Sequence, residues 1–152
     1  MTDLLLHLQE AALGSYAHLQ GSLAENRADQ YSDIDMLWEV PDQLFTQCLA
    51  RLPKILSRVR PVASLRFDPD FQRSDRWRLV YIRFVGVPLF WRVDLDIFAR
   101  SIHQDAQYDR HNSAARGYAW SATESALANA VAAVKAHLRR RDDKAIELLR
   151  RG

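Results

Sequence analysis

One cysteine in 152 residues, Cys48, excludes an internal disulfide and any cysteine-rich metal centre. Apolar neighbours at helical spacing place it on a buried helix face, where it serves as an inert core thiol. Glycine and proline are sparse, five of each, and no repeat or low-complexity linker interrupts the chain. No apolar run approaches the roughly 20 residues that span a bilayer. The opening MTDLLLHLQE lacks the basic start of a signal peptide, so a cytoplasmic protein with no membrane partner is expected. Excess charge is missing too. Lys and Arg number 21 against 19 Asp and Glu, a formal net charge of +2, and so even a balance argues against a nucleic-acid partner. The five histidines show no metal-ligand spacing and read as structural or exposed; His103 and His111, beyond an acidic strand, are weak candidates only.

What is present is globular: 48% hydrophobic and 26% charged residues, enough for a core in one domain over 1–152. Leu4, Leu5, Leu8, Ala11 and Ala12 set a helix over 3–14, with Gly14 as its stop. A strand over 16–20 runs into Gly21-Ser22, and residues 23–30 suit a short helix or turn. Alternation through Ile34, Met36 and Trp38 gives a strand to Val40. Leu44, Phe45, Cys48, Leu49, Leu52, Ile55, Leu56 and Val59 give a strong helix that Pro53 is expected to kink or split. Strands follow over 62–67, 77–85 and 88–100, the last two joined by a Gly86-Val87 hairpin turn. Helices over 122–138 and 142–151 close the chain, with Leu127, Val131, Val134 and Leu138 as an apolar stripe. That stripe suits core, a homodimer seam or a partner. The order predicts an α/β (α+β) fold with a mixed sheet and helices mainly on one face, leaving the other for a site.

Two strands carry unusual acid. In GSLAENRADQYSDIDML, Asp33 and Asp35 share a face, since side chains two apart on a strand point the same way. In WRVDLDIF, Arg92, Asp94 and Asp96 share a face as well. If the strands are neighbours, Asp33, Asp35, Asp94 and Asp96 converge, and mutual repulsion raises at least one pKa unless cations intervene. Hard anionic oxygens suit Mg²⁺ or Mn²⁺ rather than zinc. Gly21-Ser22, at a strand-to-helix turn, offers backbone N–H groups and a hydroxyl to phosphate oxygens. The bland alternatives are a solvated edge strand for Asp33 and Asp35, and a salt bridge to Arg92 or Arg83 for Asp94.

Gly-Ser, ten residues, then Asp-x-Asp, with a later acidic strand, resembles the signature of the polymerase-β-like nucleotidyltransferase superfamily. Residues 15–100 are similar to its minimal nucleotidyltransferases and to the catalytic domains of antibiotic nucleotidyltransferases. The resemblance implies that Gly21 and Ser22 contact the triphosphate. It also implies that Asp33 and Asp35 bind two Mg²⁺ ions (or Mn²⁺), and that Asp94 is the third carboxylate. Asp96 is in phase with Asp94 and remains an alternative. Arg92 steers phosphate or offsets the carboxylates. Relatives carry Arg-Gly where this chain has Glu25-Asn26, a departure for which Arg27 is the substitute. The implied reaction moves a nucleoside monophosphate, AMP from ATP, to a hydroxyl of a small molecule or a protein and releases pyrophosphate. The alternatives are an antitoxin-type AMP-transferase acting on a helical toxin partner, or a nucleotide-binding module without turnover.

Overall fold

The computed structural model describes residues 2–104, 113–119 and 121–151. They form two compact units, Met1–Gly117 and Tyr118–Gly152.

The first unit contains α1 (Thr2–Ala11), β1 (Tyr16–Leu19), α2 (Gly21–Ala24), β2 (Ile34–Val40), α3 (Phe45–Val59), β3 (Val62–Phe67), β4 (Trp77–Phe84) and β5 (Val93–Ala99). The strands form a five-stranded sheet in the order β1-β2-β5-β4-β3. β2 and β5 run parallel, while the other pairs are antiparallel. The expected mixed α/β architecture is present. Alternation along β5 shows how it arises: Val93, Leu95, Ile97 and Ala99 are buried, and the residues between them are half-buried. The buried set joins Met36, Trp38, Val80 and Ile82 to Leu4 and Leu8 of α1 and to Phe45, Cys48, Leu52, Ile55 and Leu56 of α3. Burying each large side chain stabilises the fold by about 1.5–3 kcal/mol, so this one cluster fixes the helices on one side of the sheet. Cys48 lies within it, its thiol pKa raised by burial.

Three expectations need correction. Pro53 does not split α3, which runs unbroken from Phe45 to Val59. Pro53 is exposed, so its ring meets solvent rather than the packed side, and only one hydrogen bond of the ladder is forfeited. Gly86-Val87 is not a tight hairpin turn, because β5 begins only at Val93. Gly86 (φ +73°) opens a longer connection in which Trp91 N–H donates to the Pro88 carbonyl; Pro88, having no N–H, cannot join a ladder. The first helix stops at Ala11, ahead of Gly14 at φ +79°.

The second unit is a helical hairpin of α4 (Ala122–Leu138) and α5 (Asp142–Arg150). Ser121 Oγ caps α4 by accepting from Glu124 N–H at 3.2 Å. Arg140, at φ +58°, turns the chain between the helices. Close contact is made by small residues, Ala133 and Ala136 against Ala145, with Leu148 beside them. The expected core stripe is not that contact: Leu127, Val134 and Leu138 are exposed. Among the described residues, no helix is long and apolar enough to cross a membrane.

Candidate active site

The face of the sheet away from α1 and α3 carries the acidic residues. β2 lies between β1 and β5, so Asp35 is on an interior strand and the solvated-edge reading fails. Asp35 sits directly opposite Asp94 in the parallel register, and Leu37 opposite Asp96. Asp33 immediately precedes β2 and keeps the phase of Asp35. Asp33, Asp35 and Asp94 are thus at one end of two adjacent strands, as expected, with Asp96 one step along.

Gly21 explains itself by what lies under it. It has φ +57°, and a Cβ there would stand 2.3 Å from Asp35 Oδ2. Only glycine permits both the backbone conformation and the approach. The Gln20 N–H donates to the Asp35 carbonyl at 2.8 Å, tying the turn to β2. Gly21, Ser22 and Leu23 open α2, where helix amides have no internal acceptor, and Gln20 gives no side-chain cap. The Gly-Ser turn therefore stands beside Asp35, on the β1 side of the carboxylates.

Arg92 is the cation paired with Asp94. Its Nε and Nη2 donate to Asp94 Oδ1 and Oδ2 at 2.5 and 2.6 Å, and Nη2 is 4.0 Å from Asp33 Oδ2. Burial pushes the Asp94 carboxyl above the ordinary carboxylate range, and the charges of Asp33 and Asp35 add to that; Arg92 pulls it back only in part. The salt bridge set out as the bland reading of Asp94 is present, and it coexists with the carboxylate cluster. Arg92→Met would leave a buried carboxylate without its partner. A loss of about 2 kcal/mol is expected, read as a lower urea midpoint at neutral pH.

Asp96 has different company. Trp77 Nε1–H donates to Asp96 Oδ1 at 2.9 Å. Burial raises its pKa, the Trp77 bond lowers it, and the charges of Asp35 and Asp68 raise it further. A carboxyl whose folded pKa exceeds its unfolded value binds its proton more tightly in the folded chain, so its contribution to stability falls as pH rises through that range. Asp96→Asn, which keeps the Trp77 acceptor, is therefore expected to raise Tm by a few degrees at pH 7. The gain should vanish below about pH 3.9, where the wild-type carboxyl is protonated in both states; thermal melts across pH 3–8 check it.

Arg27 is exposed and ion-paired with Glu25. Of His103 only the backbone is described, and His111 lies outside the described residues. Residues that the sequence reading passed over complete the face. Tyr81 is opposite Asp94, and Arg66 is opposite Tyr81. Arg92 lies 4.8 Å from the Tyr81 ring centroid, and Tyr81 Oη donates to Asp68 Oδ2 at 2.7 Å. Alternation within Trp77–Phe84 gave the signal for Tyr81, but only the strand order reveals its neighbours.

No group of three or more His, Cys, Asp or Glu among the described residues is disposed as a metal-ligand set. In kind, the donor set fits a hard divalent cation: Asp33, Asp35 and Asp94 supply anionic oxygens on one face. Both oxygens of Asp94 are taken by Arg92, the cation that neutralises it here.

No family model matches the chain, and no curated protein matches it. Among the solved structures similar in fold are the following two. One, described as the structural basis for the activity of a cytoplasmic RNA terminal U-transferase, is 19% identical with a TM-score of 0.46; the match covers 74% of this chain and 34% of that one. The other, a structure of the GLD-2/RNP-8 complex, is 14% identical with a TM-score of 0.47 and covers 93% of this chain and 52% of that one. This chain thus spans about half or less of theirs. At TM-scores below 0.5 the likeness carries no argument about activity, and the functional reading rests on the site.

Proposed function

We propose that this face is the active site of a nucleotidyltransferase. On this reading it moves AMP from ATP to a hydroxyl of a small molecule or a protein and releases pyrophosphate. The observation that carries the reading is Gly21 closed over Asp35, with Asp94 directly across the strand pair. A Gly-Ser turn against a carboxylate pair supports a site that holds a metal-bound triphosphate. Asp33, Asp35 and Asp94 would hold two Mg²⁺ ions, which when bound supply charge neutralisation and Lewis acidity at the phosphates.

The chain's own contribution is positioning. Amides of the Gly-Ser turn and the Ser22 hydroxyl hold the triphosphate, and Arg27 reaches it only on releasing Glu25. Asp94 would accept the acceptor hydroxyl's proton once an oxygen is released by Arg92. Arg92 restrains Asp94 between turnovers. A cytoplasmic setting belongs to the same proposal.

The second reading, nucleotide binding without turnover, is favoured by the capture of Asp94 by Arg92. Product analysis separates the two. The protein would be incubated with Mg²⁺ and ATP labelled at the α- or γ-phosphorus, water serving as a poor acceptor. AMP with pyrophosphate supports nucleotidyl transfer. ADP with phosphate, or no products despite binding, contradicts it.

A further inference from the structure

We propose that the acceptor carries a phosphate group, which Arg66 and Arg83 hold on the far side of the carboxylates from the Gly-Ser turn. The inference rests on the nucleotidyl-transfer reading and deepens it. In-line displacement at phosphorus requires the attacking and leaving oxygens on opposite sides. The Gly-Ser turn follows β1 and stands on the β1 side of Asp35, so the triphosphate and its leaving group belong there. The acceptor must then enter from the other side, over β4 and β3.

That surface carries Arg66, Arg83 and Tyr81, with one carboxylate, Asp68, held by the Tyr81 hydroxyl. Across the open face, Asp35, Asp94, Tyr81 and Arg66 form one registered row from β2 to β3. Arg83, two residues beyond Tyr81 on the same side of β4, is opposite Ser64 of β3. Arg83 and Arg66 are diagonal neighbours, about 7–8 Å apart at the backbone, near enough for both guanidiniums to reach one phosphate. The Tyr81 ring, with Arg66 at 5.5 Å and Arg92 at 4.8 Å from its centroid, separates the arginine pair from Asp94. Arg83 donates to the neutral Leu89 carbonyl.

Burial lowers the Arg83 pKa, and the charges of Arg92 and Arg66 lower it further, against the pull of Asp33 and Asp94. Like charges held together on a half-buried face are relieved by an anion, and a phosphate gives each guanidinium bidentate oxygens. A polycationic amino sugar would meet three arginines before it reached Asp94. The balanced total charge of the chain conceals this clustering.

The test uses the whole chain and no ATP. Two fluorescent probes, a single-stranded oligoribonucleotide and a nucleoside monophosphate, would be titrated into the wild type, Arg66→Gln/Arg83→Gln and Arg51→Gln/Arg58→Gln. The last pair removes the same charge from exposed positions on α3. Melting curves confirm that each variant is folded, and Arg66→Lys/Arg83→Lys serves if the glutamine pair is not. The inference expects at least tenfold weaker binding in Arg66→Gln/Arg83→Gln only, with a partial loss in the lysine pair. For the oligonucleotide, the salt slope should fall by about 0.7 for each arginine removed. Preference between the two probes distinguishes a nucleic-acid end from a small phosphorylated acceptor. Equal losses in both glutamine pairs, or tighter binding of a fluorescent polyamino sugar than of either probe, would overturn the inference. If probe binding behaves as expected but AMP and pyrophosphate never form, the transfer reading falls and the phosphate site stands. The converse result removes only the phosphate site.

Discussion

Gly21→Ala is expected to reduce nucleotide affinity or turnover by about a hundredfold while the chain stays folded. Two effects act together. A non-glycine residue at φ +57° is disfavoured by about 1–2 kcal/mol, a loss that melting would show as a fall of several degrees. The larger consequence is local. The new Cβ would lie 2.3 Å from Asp35 Oδ2 and 3.1 Å from its Cγ, so the carboxylate must swing off the site. Misplacing a catalytic group by about an ångström costs on the order of 10²-fold in rate. A Gly21→Ala protein of unchanged nucleotide affinity would mean that Asp35 is not where the triphosphate is held.

Asp35→Asn is expected to separate function from stability in the opposite sense. The charge of Asp35 raises the pKa of both Asp94 and Asp96, so in the absence of metal it is a repulsive element. Removing it should leave Tm unchanged or raise it by roughly 2–4 °C, the equivalent of about 1 kcal/mol, while metal-dependent nucleotide binding is lost. Such a trade is what a site held against repulsion produces. A variant that is destabilised and still binds nucleotide would make Asp35 a structural residue.

Much of this arrangement was legible in the sequence, for physical reasons that differ element by element. Asp33 and Asp35 stood out because alternation in IDMLWEV leaves no doubt about which side is buried. The same alternation put Asp94 and Asp96 in phase. What the sequence left open was adjacency. Nothing in it states that β5 inserts beside β2, and that insertion alone brings Asp94 opposite Asp35 and makes the Arg66–Tyr81 row continue from it. The role of Gly21 was equally hidden, since a glycine before serine reads as a turn whatever lies beneath it. Pro53 leaves α3 unsplit, and Gly86 misled because a local turn preference does not fix where the next strand begins. The core reading of the stripe gave way at Leu127, Val134 and Leu138, which are exposed, because α4 and α5 meet through alanines, which allow closer approach than leucines do.

The most direct test of the central claim is a calorimetric titration of the protein with ATP and the other three triphosphates, with and without Mg²⁺, beside Asp35→Asn. Saturable binding that requires Mg²⁺ and disappears in Asp35→Asn is the predicted result: the carboxylate face and the Gly-Ser turn hold a metal-bound triphosphate. Absence of binding to all four, or binding indifferent to both Mg²⁺ and Asp35, would contradict it.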